Sequence, residues 1–371
     1  MPGFPTNGAA SSPARRDKYL MGECVRRAGL RAVKQQECRV WRGDAANFVS
    51  ELGVREDDPA GPWCVLKPTK SAGTDGVFIS KTVKDARECF DKILGAANVF
   101  GESNQTVLVQ EFLKGTEYVI DSVSLEGQHK CVAIWEYDKR PCNGAQFVYF
   151  GMRLYQSADG ARERTMVDYV HKVIDALGVR HGPTHAEVMW LDGEGAPCLV
   201  EVGCRPHGGE GTFVDLVEPV IGYSKISVML DAFDKAYRFK RLPNLPEKFE
   251  GGSMEVDLVS RQEGVLAGYP LLGQVKRLRS FHTIEIKTPL GARLEKTVDF
   301  MTTPGCINLV HRDRRVVEED RAWIERAQEE GRFYALADPG LLKAQSKSHG
   351  HPETSQYYMS PARPPERQAT A

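Results

Sequence analysis

The sequence predicts an α+β protein with more than one subdomain, on three observations. The chain has 371 residues, which allows two or more cores, because single cores stop growing at a few hundred residues. The stretches Trp63–Pro68 and Thr106–Phe112 are strand-like and enclose a glycine turn and an amphipathic helix, which makes a β-turn-β-α-β unit. Further along, the segment HAEVMWLDGEGAPCLVEVG has two apolar strands around an Asp-Gly-Glu-Gly turn, the pattern of a hairpin.

The first part of the chain is expected to lead into a small lid. Residues 1–14 are predicted to be a disordered leader without the apolar stretch of a secretory signal, and their Ser, Ala and Arg content leaves a transit peptide as the alternative. Residues 15–62 form a helical and extended lead-in, with Lys18 in the first helical turn and Gly29 as the stop. Residues 63–113 form the lid, whose helix begins at Thr82, with Asp85 three residues on.

The rest of the chain is expected to hold a larger subdomain, a β-rich subdomain and a tail. Residues 114–249 carry strands, the hairpin and a long helix ending near Phe233, and the segment Tyr137–Tyr149 is a loop that either walls a substrate pocket or is simply solvated. Residues 250–336 are short strands split by Gly and Pro, followed by a helix over Glu318–Gly331. Residues 337–371 are polar and Pro-rich, which predicts a disordered tail.

Composition excludes several classes of function. Lys and Arg number 49 against 50 Asp and Glu, so a net charge of -1 gives no general attraction to nucleic acid or anionic membrane. The apolar runs are far shorter than the roughly 20 residues of a membrane span. The nine cysteines include no C-x-x-C pair, which fits thiols kept reduced in a cytosol. We therefore expect a soluble, cytoplasmic protein without nucleic acid or membrane partners.

Glu187 and Glu201 are the strongest chemical signal. If the hairpin turn is centred on Glu194, the two glutamates lie opposite each other, about 5 Å apart at Cβ. Two carboxylates so placed repel each other unless a cation or a shared proton lies between them. Oxygen ligands of this kind suit Mg²⁺, with Mn²⁺ as an alternative ion. An exposed acidic hairpin face is the competing interpretation.

Lys67 ends the strand WCVLK, so its ammonium can point at a ligand instead of the core. The loop after it contains Ser71, Gly73, Thr74 and Gly76, whose backbone N–H groups can approach phosphates closely. A surface lysine beside a plain hairpin turn is the alternative. The chain has neither a G-x-x-x-x-G-K-[ST] motif nor a G-x-G-x-x-G motif after a strand, which disfavours a P-loop or a Rossmann site.

The segment after the second acidic strand contains candidates for binding the groups that react. Arg205 is well placed to hold a transferring phosphoryl group or an oxyanion, although a surface arginine in a turn is the alternative. His207, Gly208 and Gly209 are predicted, together with Arg205, to form a substrate-binding loop.

Taken in this order, the motifs resemble those of the ATP-grasp superfamily, in the branch of amino-acid ligases that includes carnosine synthase-like proteins. The similarity runs from about Arg15 to Leu336, and its motifs are DKYLMGECVRRAGL, VLKPTKSAGTDGV, VLVQEFLKGTEYVIDSVS, THAEVMWL and LVEVGCRPHGG. The resemblance implies two α+β subdomains with ATP between them, followed by the β-rich subdomain.

The resemblance also implies a role for each motif. Lys18 and Lys67 are expected to hold the ATP phosphates, under a flexible loop formed by residues 71–76. Glu117 is expected to accept the ribose hydroxyls. Glu187 and Glu201 correspond to the metal-binding acids, and Arg205, with Glu201, to the residues that stabilise phosphoryl transfer. The adenine is expected to lie against a hinge formed by Gln110, Glu111, Phe112 and Leu113.

Two departures from the family pattern affect these expectations. Gly203 stands where the family usually has an asparagine two residues after the second acid, so one metal ligand must come from elsewhere. The sequence also starts at the helix that normally follows an N-terminal α/β domain, and that domain is expected to be missing.

The implied reaction forms an amide or peptide bond through an acyl phosphate and releases ADP and phosphate. Its substrates are a small carboxylic acid, with an amino acid as the leading candidate, and an amine. The sequence identifies neither, and a homodimer is one option for the assembly. Two alternatives stay open: a nucleotide-binding homologue without turnover, and a biotin carboxylase-type enzyme that uses bicarbonate.

Overall fold

A computed structural model of the chain describes residues 5–156, 160–208, 211–337 and 358–359. The helices are α1 Lys18–Arg27, α2 Ala46–Glu51, α3 Val83–Ile93, α4 Ala161–Ala176, α5 Thr212–Ile221, α6 Lys225–Asp234, α7 Ala236–Arg241, α8 Leu272–Val275 and α9 Arg314–Glu329. The strands are β1 Gln35–Cys38, β2 Cys64–Lys67, β3 Phe78–Ser80, β4 Val107–Glu111, β5 Thr116–Leu125, β6 Gln128–Cys142, β7 Ala145–Leu154, β8 Gly182–Leu191, β9 Ala196–Gly203, β10 Gly252–Asp257, β11 Gly264–Gly268, β12 Phe281–Ile286, β13 Arg293–Leu294, β14 Gly305–His311, β15 Ala335–Leu336 and β16 Tyr358–Met359. None of the described helices is long and apolar enough to cross a membrane.

The chain divides into two compact units. The first contains residues 1–138 and 153–250, and the second contains residues 139–152 and 251–371. The expected β-rich subdomain therefore also takes in a stretch of about a dozen residues that we assigned to the larger subdomain. Most of the expected tail, residues 338–357 and 360–371, lies outside the described residues.

Within the first unit, the lid is an antiparallel sheet in the order β1-β4-β2-β3. Cys64 and Leu66 of β2 pack with α2 and α3 in one apolar core. Because side chains alternate along a strand, Lys67 lies on the opposite face. The lid thus begins at β1, earlier than the predicted Trp63, since β1 pairs with β4 from Gln35 to Cys38.

The larger sheet of the first unit runs β6-β5-β8-β9, with α1 and α4 on one face. Met166, Val170 and Val173 of α4 pack against Ile120 and Val188 of the sheet. The helix predicted up to Phe233 is in fact two helices, α5 and α6. Gly222, with a φ of 90°, ends α5, and Ser224 opens α6 with a capping box, so the apolar pattern spans one break.

The predicted loop Tyr137–Tyr149 is instead a hairpin, which corrects our expectation. β6 extends to Cys142 and β7 begins at Ala145. Asn143 and Gly144 form the two-residue turn with φ values of 51° and 86°, the type I′ geometry that Asn-Gly favours. The segment is therefore not a loop, and its role as one wall of a substrate pocket stays a prediction.

The N-terminal segment also differs from the prediction. Residues 9–11 and 13–15 form short 3-10 helices within the leader expected to be disordered. Asn7 donates a hydrogen bond to the His181 carbonyl and accepts one from the Arg180 N–H, which fixes this segment on the first unit.

In the second unit, the strands run β12-β14-β10-β7, and a small sheet has the order β13-β11-β15. Helix α9 begins at Arg314, four residues before the predicted Glu318, because Asp313 caps it by accepting a hydrogen bond from the Arg315 N–H. Val317 and Ile324 of α9 pack with Met254 and Leu309 in the core of this unit.

Candidate functional site

Lys18 and Lys67 both lie beside the acidic strands of the first unit. The Lys18 Nζ is 3.1 Å from Glu201 Oε2 and donates a 2.7 Å hydrogen bond to the Ser71 carbonyl. Lys67 is 6% exposed. Burial and the Lys18 charge together lower the pKa of Lys67 to about 8, against the raising effect of Glu201, Glu187 and Glu117. Two lysines and three carboxylates therefore share one electrostatic environment.

The glycine loop after Lys67 is held by its own side chains. Ser71 Oγ donates a 2.6 Å hydrogen bond to Asp75 Oδ2, which also accepts from the Val99 N–H at 3.0 Å. Gly73, Thr74 and Gly76 all have φ near 65°. Such left-handed backbone is cheap for glycine and turns successive N–H groups to one side of a loop.

Glu187 and Glu201 are direct partners across β8 and β9, as the sequence suggested, although by a different route. The turn pairs Leu191 with Ala196, so a regular hairpin would place Glu187 opposite Val200. A bulge between Glu187 and Val188 shifts the register by one residue and restores the glutamate pair.

Three cross-strand pairs of residues in β5 and β8 lie one after another on the same face of the sheet. Glu117 pairs with Met189, Val119 with Glu187, and Asp121 with His185. Residues two apart on a strand share a face and lie about 6.6 Å apart. The predicted ribose acid, the predicted metal acids and the Asp121–His185 pair are thus arranged in a line.

The predicted adenine hinge lies at the end of β4. Gln110 Nε2 donates to Gln35 Oε1 at 2.9 Å. The Glu111 carboxylate is occupied by Arg31 at 2.7 Å and by the Lys34 N–H at 2.8 Å, and the Glu111 and Phe112 N–H groups donate to the Lys34 and Trp63 carbonyls. The Leu113 N–H and the main-chain carbonyls of the hinge are therefore the candidates for reading a base. A cavity of about 530 Å³ lies beside Phe112. Its lining includes Lys34, Trp63, Glu111 and Lys114. Leu113 packs at the edge of a small apolar cluster.

Arg205 explains how Gly203 is accommodated. A Cβ built on Gly203 would lie 3.4 Å from the Arg205 side chain, which therefore covers the place where a side chain at position 203 would begin. Arg205 Nη1 donates to the Pro206 carbonyl at 3.0 Å and forms no ion pair with either glutamate in the described part of the chain. Gly208 has open space around it. Gly209 lies outside the described residues.

Sequence reasoning missed a buried polar network around Asp121. This carboxylate is 1% exposed and accepts hydrogen bonds from His185 Nδ1 at 3.1 Å, His207 Nδ1 at 2.9 Å and Trp135 Nε1 at 3.0 Å. Lys225 Nζ also binds it. An acid inside the apolar stretch EYVIDSVS was the available signal, because a buried carboxylate requires partners.

The two histidines respond differently to this network. Burial lowers the pKa of His185, but its hydrogen bonds with Asp121 and Glu187 outweigh burial, and the pKa is raised. Burial lowers the pKa of His207 to about 4 in spite of Asp121, and the nearby His185 and Lys225 charges contribute to the decrease. At neutral pH the His207 ring is therefore uncharged.

Comparison with known proteins identifies a domain family and several relatives. Residues 61–213 match the family described as ATP-grasp domain. The chain is 29% identical over 333 residues to dapdiamide A synthase of Enterobacter agglomerans, covering 88% of this chain and 73% of that protein. It is 27% identical over 151 residues to phosphoribosylamine–glycine ligase of Salmonella typhimurium, covering 38% of this chain and 34% of the other.

A solved structure gives the same result for the fold. The crystal structure of L-amino acid ligase from Bacillus licheniformis matches with a TM-score of 0.69 at 19% identity, over 91% of this chain and 75% of that one. Residues 61–213 therefore match the ATP-grasp domain, and the chain is similar over most of its length to dapdiamide A synthase in sequence and to the L-amino acid ligase in fold.

Proposed function

We propose that this chain activates a small carboxylic acid with ATP and joins it to an amine, with the residues around Glu187 and Glu201 as the reaction centre. The observation that carries the proposal is the convergence of Lys18 and Lys67 on this paired set of carboxylates. Two ammonium groups beside two acids suit a polyphosphate bound together with a divalent cation.

In this proposal the nucleotide lies along the line of paired residues in β5 and β8. Main-chain groups of the hinge, residues 110–113, bind the adenine, and Glu117 accepts the ribose hydroxyls. Lys18 and Lys67 then hold the phosphates, and backbone N–H groups of residues 71–76 cover them. This order leaves the terminal phosphate near Glu187 and Glu201.

The glutamate pair fits Mg²⁺, because both side chains offer oxygen ligands from directly opposite positions. Mn²⁺ is the alternative ion. When bound, the ion would offset negative charge on the phosphoryl group in transfer. Lys18 and Arg205 add positive charge from the protein itself, and in this proposal the Arg205 side chain exchanges its hydrogen bond to the Pro206 carbonyl for one to the phosphate.

The reaction follows from these placements. The carboxylate of the acid attacks the terminal phosphorus of ATP, and the bond from that phosphorus to ADP breaks. An amine then attacks the acyl carbon, and phosphate leaves. Dapdiamide A synthase and the L-amino acid ligase carry names that favour an amino acid or a similar compound as a substrate. The segment from Arg205 to Gly209 is our candidate for binding it.

A substrate screen tests the proposal. Purified protein is given MgATP and mixtures of amino acids and small acids, and the release of ADP and phosphate is measured together with amide products by mass spectrometry. Glu201→Gln should abolish release, whereas Glu88→Gln, at an exposed position on α3, should not. MgATP binding without acid-dependent ADP release would support the alternative that Gly203 favours, a nucleotide-binding homologue without turnover.

A further inference from the structure

Beyond the phosphate site, the chain contains an Asp–His pair that the first half-reaction does not use. His207 Nδ1 is 2.9 Å from Asp121 Oδ2, and the ring is stacked on Phe213 with a centroid distance of 5.3 Å. Trp135 packs edge-on against the same ring at 5.7 Å. The orientation of the imidazole is therefore fixed on three sides.

The Asp121 contact also selects the tautomer. A carboxylate accepts hydrogen bonds, so Nδ1 carries the proton and Nε2 keeps its lone pair. Among the described residues no hydrogen-bond partner reaches His207 Nε2. A neutral imidazole held by a buried carboxylate, with its second nitrogen unprotonated, is the arrangement of a general base.

The position of the Asp121–His207 pair suits the second half of the proposed reaction, in which the amine attacks the acyl phosphate. His185, in the cross-strand pair after that of Glu187, is 3.5 Å from Glu187 Oε1 through its Nε2. The His185 and His207 rings contact each other at a centroid distance of 4.4 Å. His207 thus lies past the phosphate end of the site, on the side opposite the ribose acid Glu117, where the acyl group and its amine must meet.

We infer that His207 is the general base that deprotonates the amine as it attacks the acyl phosphate, with Asp121 as its positioning residue. The inference rests on the proposed function. In this step the amine nitrogen forms a bond to the acyl carbon, the bond from that carbon to the phosphate oxygen breaks, and one N–H proton moves to His207 Nε2. Phosphate leaves with the electron pair of the broken bond, and the proton then passes from His207 to phosphate or solvent.

A metal ion is the competing occupant of this cluster. Ligand atoms of Asp121, His185 and His207 come within 4.8 Å of one another. However, Lys225 also binds Asp121, and with Trp135 and the two histidines it gives the carboxylate four donors for its two oxygens. A carboxylate already saturated by donors, one of them an ammonium, is a poor metal ligand.

The charged groups that face the His207 ring are Asp121 of β5, His185 of β8 and Lys225 of α6. The neighbours from β6 and α5 are Trp135 and Phe213, which do not titrate in this range. Burial lowers the pKa of Lys225 against the raising effect of Asp121. The pKa of His207 is about 4 and that of His185 is raised, so around neutral pH the response of the amine step is expected to follow the amine itself and His185.

The test compares two acceptors in one assay. Hydroxylamine is already unprotonated at neutral pH and traps an acyl phosphate without a base, whereas an ordinary amino-acid amine must lose a proton. With the acid found by the screen at a saturating concentration, so that weaker acid binding does not limit either product, His207→Asn should reduce amide formation by about 100-fold or more while hydroxamate formation stays within a few-fold of wild type. The deficit should shrink as pH rises, because more of the amine is then free of its proton.

His171→Asn is the matched control, since His171 is another histidine whose pKa burial lowers to about 4, on α4 away from this network. An Asn side chain at position 207 can still donate to Asp121, and His207→Gln serves if that variant does not fold. Equal loss of amide and hydroxamate, loss of neither, or stoichiometric zinc that His207→Asn removes would each overturn the base assignment. Absence of acid-dependent ADP release in wild type would instead overturn the proposed function, and the base with it.

Discussion

Replacing Lys67 with Met should raise the stability of the nucleotide-free protein and weaken its binding of MgATP. Lys67 is buried, and its pKa falls from 10.5 to about 8 in the folded state. At 1.36 kcal/mol per unit, holding this ammonium at pH 7 costs about 3 kcal/mol of folding free energy. Methionine keeps most of the apolar stem and removes the charge.

The pH dependence gives this prediction its sign. The folded pKa lies below the unfolded one, so the cost is fully present below pH 8 and disappears as pH rises from about 8 to 10.5. Lys67→Met should therefore unfold at higher urea concentration than wild type at pH 7, and the two should converge toward pH 10.5. In the same variant the phosphates lose one charged donor, which should weaken binding by roughly 1.5 to 3 kcal/mol.

The assay is urea unfolding with and without MgATP, with calorimetry for affinity. Lys84→Met, at an exposed position on α3, is the control and should change neither quantity. A variant that binds MgATP as tightly as wild type would refute the phosphate role of Lys67. A variant no more stable than wild type at pH 7 would refute the cost of burial.

Three further predictions concern the carboxylates and the buried network. Glu201→Gln should preserve the fold and suppress ADP formation, while Glu187→Gln should mainly raise the Mg²⁺ concentration needed for half-maximal rate; normal turnover of Glu201→Gln at limiting Mg²⁺ would contradict the paired-acid site. Lys225→Met should destabilise the protein by about 3 to 5 kcal/mol in urea unfolding, because it leaves Asp121 buried without its cation; adding Asp121→Asn should recover part of that loss. Although burial raises the pKa of Asp121, Lys225 and His207 hold it well below 3.8. Its contribution to stability is thus present above pH 3.8 and is lost only as pH falls through the lower folded value, so unfolding of wild type and Asp121→Asn should converge only in strong acid.

The glutamate hairpin illustrates how far sequence reasoning reached. Alternation of apolar residues predicted both strands, and the turn residues predicted their connection. The predicted pairing of Glu187 with Glu201 is confirmed, but it depends on a bulge that the residues of this segment do not predict. Packing of both Leu199 and Val202 in the core decides this register, because residues three apart in a regular strand face opposite sides and the bulge between them brings both to the core face.

The Tyr137–Tyr149 segment illustrates the opposite case, a signal that was present and not used. Asn143-Gly144 is a strong hairpin turn between extended stretches, and the structure pairs them as β6 and β7. The charged residues there, including Lys139 and Arg140, made the segment look solvated. Lys139 lies over Tyr149 and Arg140 over Phe150, so long cationic side chains cover aromatic rings on these strands.

The sequence by itself determined the class of the protein, its order of motifs and the identity of the phosphate, metal and hinge candidates, because each of these is encoded by neighbouring residues in one strand, turn or helix start. Only the tertiary structure decided that Asp121, His185, His207 and Lys225 meet. These residues come from two strands, a loop and a helix up to 104 positions apart, and each is ordinary in its local context. They meet because a buried carboxylate needs donors from several elements at once, and which elements can supply them is set by strand register and helix packing.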